Sequence, residues 1–225
     1  GIQDVADAHG LRIVSDAAQS FGGRQDGKWV GTLAEITATS FYPTKTLGGY
    51  GDGGAILVRD KEVGDLLRSI RWHGTGDNRK ESIRVGINGR CDSIQCAVVS
   101  EKLGIFEEER KRRIAAAEVY NERLSGKVEC QQGRSDEESA FGLYTVRVPD
   151  RDAVRASLQE SAIPTSIYYD TPLHQMPAFD QFAPPGGLPE CEKASREVLS
   201  LPMHPYLSEN QIHRVCDALL KALQR

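Results

Sequence analysis

Residues 38–56 read ATSFYPTKTLGGYGDGGAI, in which a β-branched and aromatic run leads through a glycine-dense loop to a second apolar run. The run at 36–42 predicts a strand, and Pro43 ends it. Glycines dominate residues 48–54, which predicts a loop rather than a helix. Residues 55–58, Ala-Ile-Leu-Val, predict the next strand. The stretch therefore predicts a strand, a glycine loop and a second strand.

The segments on either side extend this pattern into an α/β layer. Residues 2–9 have apolar side chains at helical spacing, with Gly10 as a stop signal. Residues 11–16 predict a buried strand that ends on an acid, and residues 61–71 predict a helix. Helices and strands alternating at this spacing predict a large domain with a mostly parallel sheet. Because a helix already runs at Gly1, the chain is expected to be part of a longer protein.

The rest of the chain has a pattern typical of a smaller α+β domain. The expected elements are a polar loop at 74–91, helices from Asp92 and at 105–125, a strand at 144–148, a helix at 152–161, a Pro-rich loop at 172–189 and helices near 190–200 and 208–223. We therefore predict that residues 1–104 are the carboxyl-terminal part of a large domain. Residues 105–225 are predicted to form a small carboxyl-terminal domain.

Composition excludes several classes of function. The 225 residues carry a formal net charge of −4 with acids and bases interspersed, which argues against nucleic acid as a partner. No apolar run is long enough to predict a membrane span. The cysteines are odd in number and form no CxxC pair, so no metal site is predicted and a reducing cytoplasm is the expected setting. Their ordinary role is that of small buried hydrophobes.

Three side chains in and near the opening stretch suit one cofactor: Asp16, Ser40 and Lys45. Each has an ordinary alternative, because an acid at a strand end often caps a helix and a lysine is usually a surface residue. Together they suit pyridoxal phosphate, which needs a lysine amine to form a Schiff base and a carboxylate against its pyridine nitrogen. The serine hydroxyl can bond the phosphate. All three are expected at the carboxyl edge of a parallel sheet, where ligands gather.

Four motifs carry a resemblance to a known family. They are VSDAAQSFGG at 14–23, the opening stretch at 38–56, VGINGRCDSIQ at 85–95 and IYYDTPLH at 167–174. These segments resemble the DegT/DnrJ/EryC1/StrS sugar aminotransferases, which have the type I fold of the pyridoxal-phosphate-dependent transferases. The resemblance runs over essentially the whole chain and implies a partial large domain followed by a small one.

The resemblance implies a role for each matching residue around the cofactor. Lys45 is implied as the residue that bonds the cofactor and then shuttles a proton between the donor's α-carbon and the cofactor. Asp16 is implied as the partner of the pyridinium nitrogen, and Gln19 as a contact of the ring or its hydroxyl. Ser40 is implied as a phosphate ligand.

Further residues are implied by the resemblance at the dimer interface and the substrate. The GxNxR loop of the family reaches across a homodimer interface, so Asn88 is expected to contact the phosphate of the neighbouring subunit's cofactor. Arg90 is expected to meet an anionic group of the substrate, with a structural salt bridge as the alternative. Tyr168 and His174 match substrate-binding positions, although His174 could equally have a satisfied core or surface role. Asp52 is assigned to holding the glycine loop.

The resemblance also suggests a substrate. Residues 41–56, with RVGINGR at 84–90, most resemble enzymes that aminate the 3-keto position of UDP-linked N-acetylated sugar uronic acids. This implies glutamate as amino donor and a role in surface polysaccharide biosynthesis, lipopolysaccharide included. The guanidinium of Arg90 would match a uronate carboxylate bidentately. Amination of a 4-keto sugar stays open.

Other functions stay open at this point. Some relatives are sugar dehydratases with histidine in place of the lysine, and Lys45 argues against that branch. Other relatives of the fold are non-catalytic regulators, and decarboxylation or sulfur transfer would keep the cofactor but change the reaction. The family's amino-terminal portion, which binds phosphate at a helix N-terminus, has no counterpart here. We therefore expect these 225 residues alone to bind the cofactor weakly and to be inactive.

Overall fold

The computed structural model describes residues 1–224 and divides the chain into two compact units. Unit 1 consists of Gly1–Arg110 and Arg134–Ala140, and unit 2 consists of Lys111–Gly133 and the chain from Phe141 onward. Each unit is described by itself below. The domain boundary placed after residue 104 stays a prediction.

The two units are built from six helices and nine short strands among the described residues. The helices are α1 (Ile2–His9), α2 (Lys61–Arg71), α3 (Ser93–Leu124), α4 (Arg151–Glu160), α5 (Pro189–Glu197) and α6 (Glu209–Ala222). The strands are β1 (Val14–Asp16), β2 (Arg24–Gln25), β3 (Lys28–Trp29), β4 (Ile36–Ser40), β5 (Gly54–Val58), β6 (Glu129–Cys130), β7 (Glu137–Glu138), β8 (Tyr144–Arg147) and β9 (Val198–Leu201). Two short 3₁₀ helices, Leu173–Gln175 and Asp180–Phe182, lie in the segment predicted as a Pro-rich loop.

The main sheet of unit 1 has the strand order β1–β4–β5. Strand β1 runs parallel to β4, with Asp16 opposite Ala38, whereas β5 runs antiparallel to β4, with Gly54 opposite Ser40. Of the two neighbouring pairs among these strands, one is therefore parallel and one antiparallel, whereas the sequence predicted a mostly parallel sheet for the large domain. Residues 41–53, which connect β4 to β5, form no helix and return the chain alongside β4, whereas parallel neighbours are usually joined by a crossover helix.

The helices of unit 1 begin and end at the residues that the sequence indicates. Helix α1 ends at Gly10, whose φ of 63° lies in the left-handed region that glycine adopts without strain. Helix α2 begins after Asp60, whose carboxylate accepts a 3.0 Å hydrogen bond from the Val63 N–H. These local signals explain why the helices predicted at 2–9 and 61–71 are confirmed.

Helix α3 is one continuous element of 32 residues, so the prediction of two separate helices is wrong. The predicted break fell near Gly104. A glycine inside a helix costs only about 1 kcal/mol relative to alanine, and packing of the neighbouring turns can outweigh that cost. Val99 and Phe106, on either side of Gly104, are both buried.

Unit 2 packs the sheet β6–β8–β9 with helices around one apolar core. Its fully buried side chains include Tyr120, Tyr144 and Leu158. The helix predicted at 190–200 is partly wrong, because α5 ends at Glu197 and the next four residues form β9. Strand β9 pairs antiparallel with β8, with Leu199 opposite Val146, so buried ladder hydrogen bonds replace the last helical turn.

Two further observations bear on function. Within residues 1–224, no helix has both the length and the apolar character that a membrane span requires. No group of three or more metal-binding side chains comes together in that same part of the chain.

Candidate functional site

Asp16 and Ser40 lie on the same face of the sheet, at the same edge. Strands β1 and β4 are parallel, so their carboxyl ends meet at one edge, and Asp16 pairs there with Ala38. Ser40 lies two residues beyond Ala38, and side chains alternate along a strand, so Ser40 shares the face of Asp16. Thr37 and Thr39, on the opposite face, are buried. The predicted pyridinium partner and the predicted phosphate ligand are therefore neighbours.

The polar groups of this edge are only partly used within the protein. Asp16 is exposed, and one of its carboxylate oxygens accepts a 2.9 Å hydrogen bond from the Ala18 N–H. Gln19 is exposed in the turn that follows β1. The Ser40 hydroxyl oxygen accepts a 3.2 Å hydrogen bond from the Tyr42 N–H and still has its own hydrogen to donate. The edge therefore offers free donors and acceptors to a ligand.

Lys45 lies five residues beyond Ser40 in the connection between β4 and β5, residues 41–53, which we call the lysine loop. Its side chain is half-buried, and its backbone N–H donates a 2.9 Å hydrogen bond to the Tyr42 carbonyl. Among the described residues its amine forms no hydrogen bond or ion pair. The next residue, Thr46, donates from its hydroxyl to the Phe21 carbonyl at 2.8 Å, and Leu47 is buried. The backbone beside the amine is thus anchored while the amine itself is unengaged.

The lysine loop folds closely back on itself at Gly48. A Cβ at this position would lie 2.6 Å from the Pro43 carbonyl oxygen and 2.8 Å from that of Tyr42. Because backbone atoms cannot move aside cheaply, only glycine fits here. This close approach explains why a glycine follows Lys45 so soon in the sequence.

Asn88 and Arg90 lie in the segment between α2 and α3. Both are exposed, and Arg90 Nε donates a 3.1 Å hydrogen bond to Asn88 Oδ1. The Arg90 guanidinium also lies 4.5 Å from the ring centroid of Trp72, a cation–π contact. No hydrogen bond among the described residues joins this pair to Asp16 or Lys45. The structure therefore brings Asn88 and Arg90 together, with no hydrogen bond to the sheet edge among the described residues.

The predicted substrate residues Tyr168 and His174 belong to unit 2. Tyr168 lines a cavity of about 540 Å³ and packs edge-on against Tyr169, with ring centroids 5.4 Å apart. His174 Nε2 lies 3.0 Å from a carboxylate oxygen of Glu192, and little of its side chain is exposed. The Leu188 N–H, followed by His174, lowers the pKa of the Glu192 carboxyl. His174 therefore has a hydrogen-bonded acidic partner, which favours the alternative role of a structural histidine.

Two residues that touch the lysine loop were not predicted. Gln95 accepts a 2.7 Å hydrogen bond from the Tyr50 N–H, and Lys102 donates a 2.7 Å hydrogen bond to the Gly48 carbonyl. Gln95 belongs to one of the sequence motifs, but we assigned it no role. The available signal was a seven-residue spacing of polar side chains with apolar Val99 between them on a helix.

The sequence matches the profile of the DegT/DnrJ/EryC1/StrS aminotransferase family over residues 1–220. It is 41% identical to the UDP-2-acetamido-2-deoxy-3-oxo-D-glucuronate aminotransferase of Pseudomonas aeruginosa, covering 97% of this chain and 60% of that protein. It is also 39% identical to a pleiotropic regulatory protein of Geobacillus stearothermophilus, again over 97% of this chain and 60% of the relative. The chain thus spans about 60% of the length of these relatives.

The three-dimensional comparison agrees. A crystal structure of a DegT DnrJ EryC1 StrS aminotransferase from Brucella abortus superposes with a TM-score of 0.93 at 43% identity, covering 97% of this chain and 59% of that one. The fold is part of the type I fold of pyridoxal-phosphate-dependent transferases, as the resemblance implied. On sequence and structure together, the chain belongs to the DegT/DnrJ/EryC1/StrS aminotransferase family.

Proposed function

We propose that the full-length protein is a pyridoxal-phosphate-dependent aminotransferase of keto nucleotide sugars. One observation carries the proposal: Asp16 and Ser40 share one face at one edge of the sheet, and the unengaged amine of Lys45 follows in the next loop. Family membership and the aminotransferases among the relatives support it.

The residues at the sheet edge fit the cofactor chemically. The exposed carboxylate of Asp16 can hold a protonated pyridine nitrogen in its charged form, since an opposite charge nearby favours ionisation. The Ser40 hydroxyl can donate to a phosphate oxygen, and the Gln19 amide offers a donor and an acceptor to the ring or its hydroxyl. Bound there, the cofactor supplies an electron-accepting ring and an aldehyde carbon that can bond to an amine.

Lys45 has two tasks in this proposal. Its amine would hold the cofactor covalently, beside the carboxylate of Asp16. Once released from that bond, the same amine would take a proton from the α-carbon of the amino donor and return one to the carbon that the cofactor supplies. The anchored backbone on both sides of Lys45 keeps the amine within reach during both tasks.

A transamination assay tests this chemistry. Full-length protein with glutamate and a keto nucleotide sugar should form the amino sugar and an equal amount of 2-oxoglutarate. Lys45→Ala should lower the rate by about a thousandfold or more, because the covalent and proton-transfer roles are lost together. The matched control, Lys28→Ala, removes an exposed lysine of β3 and should leave the rate unchanged. Equal rates for Lys45→Ala and the unsubstituted protein would exclude the proposal.

For the substrate, we propose a UDP-linked 3-keto N-acetylated uronic acid, with glutamate as amino donor. The relative from P. aeruginosa is named for such a substrate. Arg90 is exposed and held by Asn88 and Trp72, so its fork is oriented for a bidentate bond to a carboxylate. This role places the enzyme in surface polysaccharide or lipopolysaccharide biosynthesis. Its five cysteines are free, which fits a reducing cytoplasm.

Substrate pairs that differ in one group test this assignment. The full-length protein should prefer the 3-keto uronate over the corresponding sugar with a hydroxymethyl group, and Arg90→Gln should erase most of that preference. The loss should be about 10- to 100-fold in kcat/KM for the uronate only, as expected for a hydrogen-bonded charge pair. Turnover of 4-keto sugars alone would contradict the assignment.

We also propose a homodimer with shared active sites. Asn88 is exposed, so its amide is accessible to the cofactor phosphate of a second copy. Mixing two inactive full-length variants, Lys45→Ala and Asn88→Ala, tests this arrangement, because a mixed dimer regains one site with both residues intact. No recovery of activity on mixing would exclude sharing.

A regulatory protein is the second candidate, since one relative at 39% identity is named a pleiotropic regulatory protein. Transamination needs the amine of Lys45, whereas regulation does not. If Lys45→Ala in the full-length protein abolishes turnover but preserves the biological effect in cells, regulation is the function. If turnover and the biological effect are lost together, transamination is the function.

A further inference from the structure

One face of α3 holds the lysine loop at two polar points. Gln95 and Lys102 are seven residues apart, nearly two helical turns, so both side chains project from the same face. Gln95 Oε1 accepts a 2.7 Å hydrogen bond from the Tyr50 N–H, and Lys102 Nζ donates a 2.7 Å hydrogen bond to the Gly48 carbonyl. The bonded residues lie five and three positions beyond Lys45.

An apolar contact lies between these two polar points. Val99, on the same face of α3, forms a buried cluster with Leu47 and Phe106, and Phe41 packs against it. The residues of α3 that face the lysine loop are therefore spaced at 95, 99, 102 and 106, an unbroken helical stripe. One rigid helix thus contacts the loop residues that flank Gly48 on both sides.

The fit between the helix and the loop is close. A Cβ at Gly49 would lie 2.9 Å from Gln95 Oε1, which is closer than real Cβ contacts come. The loop backbone therefore lies directly against the Gln95 amide, whose oxygen also accepts the hydrogen bond from the Tyr50 N–H.

Lys102 is an unusual choice for stability alone. Its side chain is half-buried, and its ammonium faces neutral groups: the Gly48 carbonyl and the Tyr50 ring, whose centroid is 5.7 Å away. No acidic side chain pairs with it in the described part of the chain. Partial burial of an unpaired cation costs free energy that an apolar residue would not cost. The ammonium of Lys102 is therefore better explained by the Gly48 carbonyl that it holds in place.

We infer that Gln95 and Lys102 are positioning residues that fix the lysine loop so that the Lys45 amine reaches the group it must bond. The inference rests on the proposed function and deepens it. Neither residue touches the reacting atoms in this account. Both act through the backbone at 48–50, and the alignment they give matters because a misplacement of about 1 Å can cost about a hundredfold in rate.

Four variants of the full-length protein test the inference. Gln95→Leu removes the acceptor for the Tyr50 N–H, and Gln95→Glu keeps it. Lys102→Met removes the ammonium at nearly constant length. The matched control is Lys111→Met, the same substitution at an exposed lysine farther along α3.

The first measurement is hydrogen exchange of the Tyr50 amide without cofactor. Exchange should accelerate by about tenfold or more in Gln95→Leu, the effect of losing one hydrogen bond, and should stay within about threefold of native in Gln95→Glu. This result does not depend on the proposed reaction. Native protection of the Tyr50 amide in Gln95→Leu would overturn the inference.

The second measurement follows the covalent bond between Lys45 and the cofactor by its visible absorbance as a function of pH. Gln95→Leu and Lys102→Met should shift that titration and lower kcat by about tenfold, with KM for the amino donor nearly unchanged. Gln95→Glu and Lys111→Met should match the native protein. If Gln95→Leu and Lys102→Met both show the native titration and the native kcat, the inference is overturned. If the unsubstituted protein forms no bond at Lys45, the proposed function fails instead, whatever the exchange result.

Discussion

The two units of this protein differ in how their interiors are built. Unit 2 has one large apolar core to which α3, α4, α6, β8 and β9 all contribute fully buried side chains. The buried apolar cluster of unit 1 consists of Leu47, Val99 and Phe106. Large apolar side chains of its main sheet remain accessible, among them Val14 at 63% and Ile56 at 53% exposure. Every residue assigned to the cofactor lies in unit 1, the unit with the smaller core.

Within residues 1–224, the large apolar core and the residues assigned to the cofactor therefore lie in different units. A large apolar core stabilises by removing surface from water, at about 25 cal/mol per Å² of apolar area. The lysine loop of unit 1 is held instead by specific hydrogen bonds, from Thr46, Gln95 and Lys102. Substitutions in unit 2 should therefore change the free energy of unfolding, and substitutions in unit 1 should change activity first.

The largest expected effect on stability is in the core of unit 2. Leu158 is fully buried, so Leu158→Ala should lower the free energy of unfolding by about 2–5 kcal/mol through lost burial and a residual cavity. Ile94→Ala, at a side chain that is 76% exposed in unit 1, should cost less than about 1 kcal/mol. Denaturant unfolding measures both. Equal losses of unfolding free energy in Leu158→Ala and Ile94→Ala would mean that the two units do not differ as described.

A substitution in unit 1 should give the opposite result. Asp16→Asn preserves shape and removes the charge, so it should lower kcat of the full-length protein by about a hundredfold, because the pyridine nitrogen loses its ionic partner. The free energy of unfolding should change by less than about 1 kcal/mol, since Asp16 is exposed. Steady-state kinetics and denaturant unfolding of the same preparation provide the two numbers. A stability loss as large as that of Leu158→Ala would break the comparison.

High pH should weaken unit 2. Burial raises the pKa of the Cys216 thiol from its usual 9.0 to about 11, and burial also raises the pKa of the Tyr120 and Tyr144 hydroxyls. Between pH 9 and 11 the folded state keeps the Cys216 proton that the unfolded state loses, so stability must fall as pH rises. Thermal unfolding across this window should show the fall, and Cys216→Ala should make it shallower. If stability falls as steeply with pH in Cys216→Ala as in the unsubstituted protein, the Cys216 thiol is not the cause.

The smallest expected effect concerns a surface ion pair of unit 2. Arg123 and Asp217 form a salt bridge in which the carboxylate is largely exposed. Asp217→Asn should therefore change the free energy of unfolding by less than about 1 kcal/mol, and less still in high salt. Denaturant unfolding at two salt concentrations checks this. A larger cost would mean that surface charge, as well as the core, stabilises unit 2.

Local signals made much of the fold predictable from sequence. Periodicity and caps located α1, α2, α4 and α6, because a helix start such as Asp60 and a stop such as Gly10 act within a few residues. The direction of β5 and the existence of β9 were missed, because both depend on which strand lies alongside. The unbroken course of α3 through Gly104 likewise depends on packing and not on the glycine alone.

The candidate site was predictable in part. Asp16, Ser40 and Lys45 were predicted because the chemistry needs those residue types in that order. Their roles, like those of Asn88 and Arg90, stay proposals. Gln95 and Lys102 were missed, because a glutamine and a lysine on a charged helix have no local mark of a bond to residues about fifty positions earlier.

The most direct test of the central claim is to find which side chain holds the cofactor. Full-length protein loaded with pyridoxal phosphate would be reduced with borohydride, which makes the bond permanent, then digested and mapped by mass. The account predicts one modified peptide, carrying the reduced cofactor on Lys45, and none in Lys45→Ala. A cofactor attached to another lysine, or no uptake by the full-length protein, would contradict it.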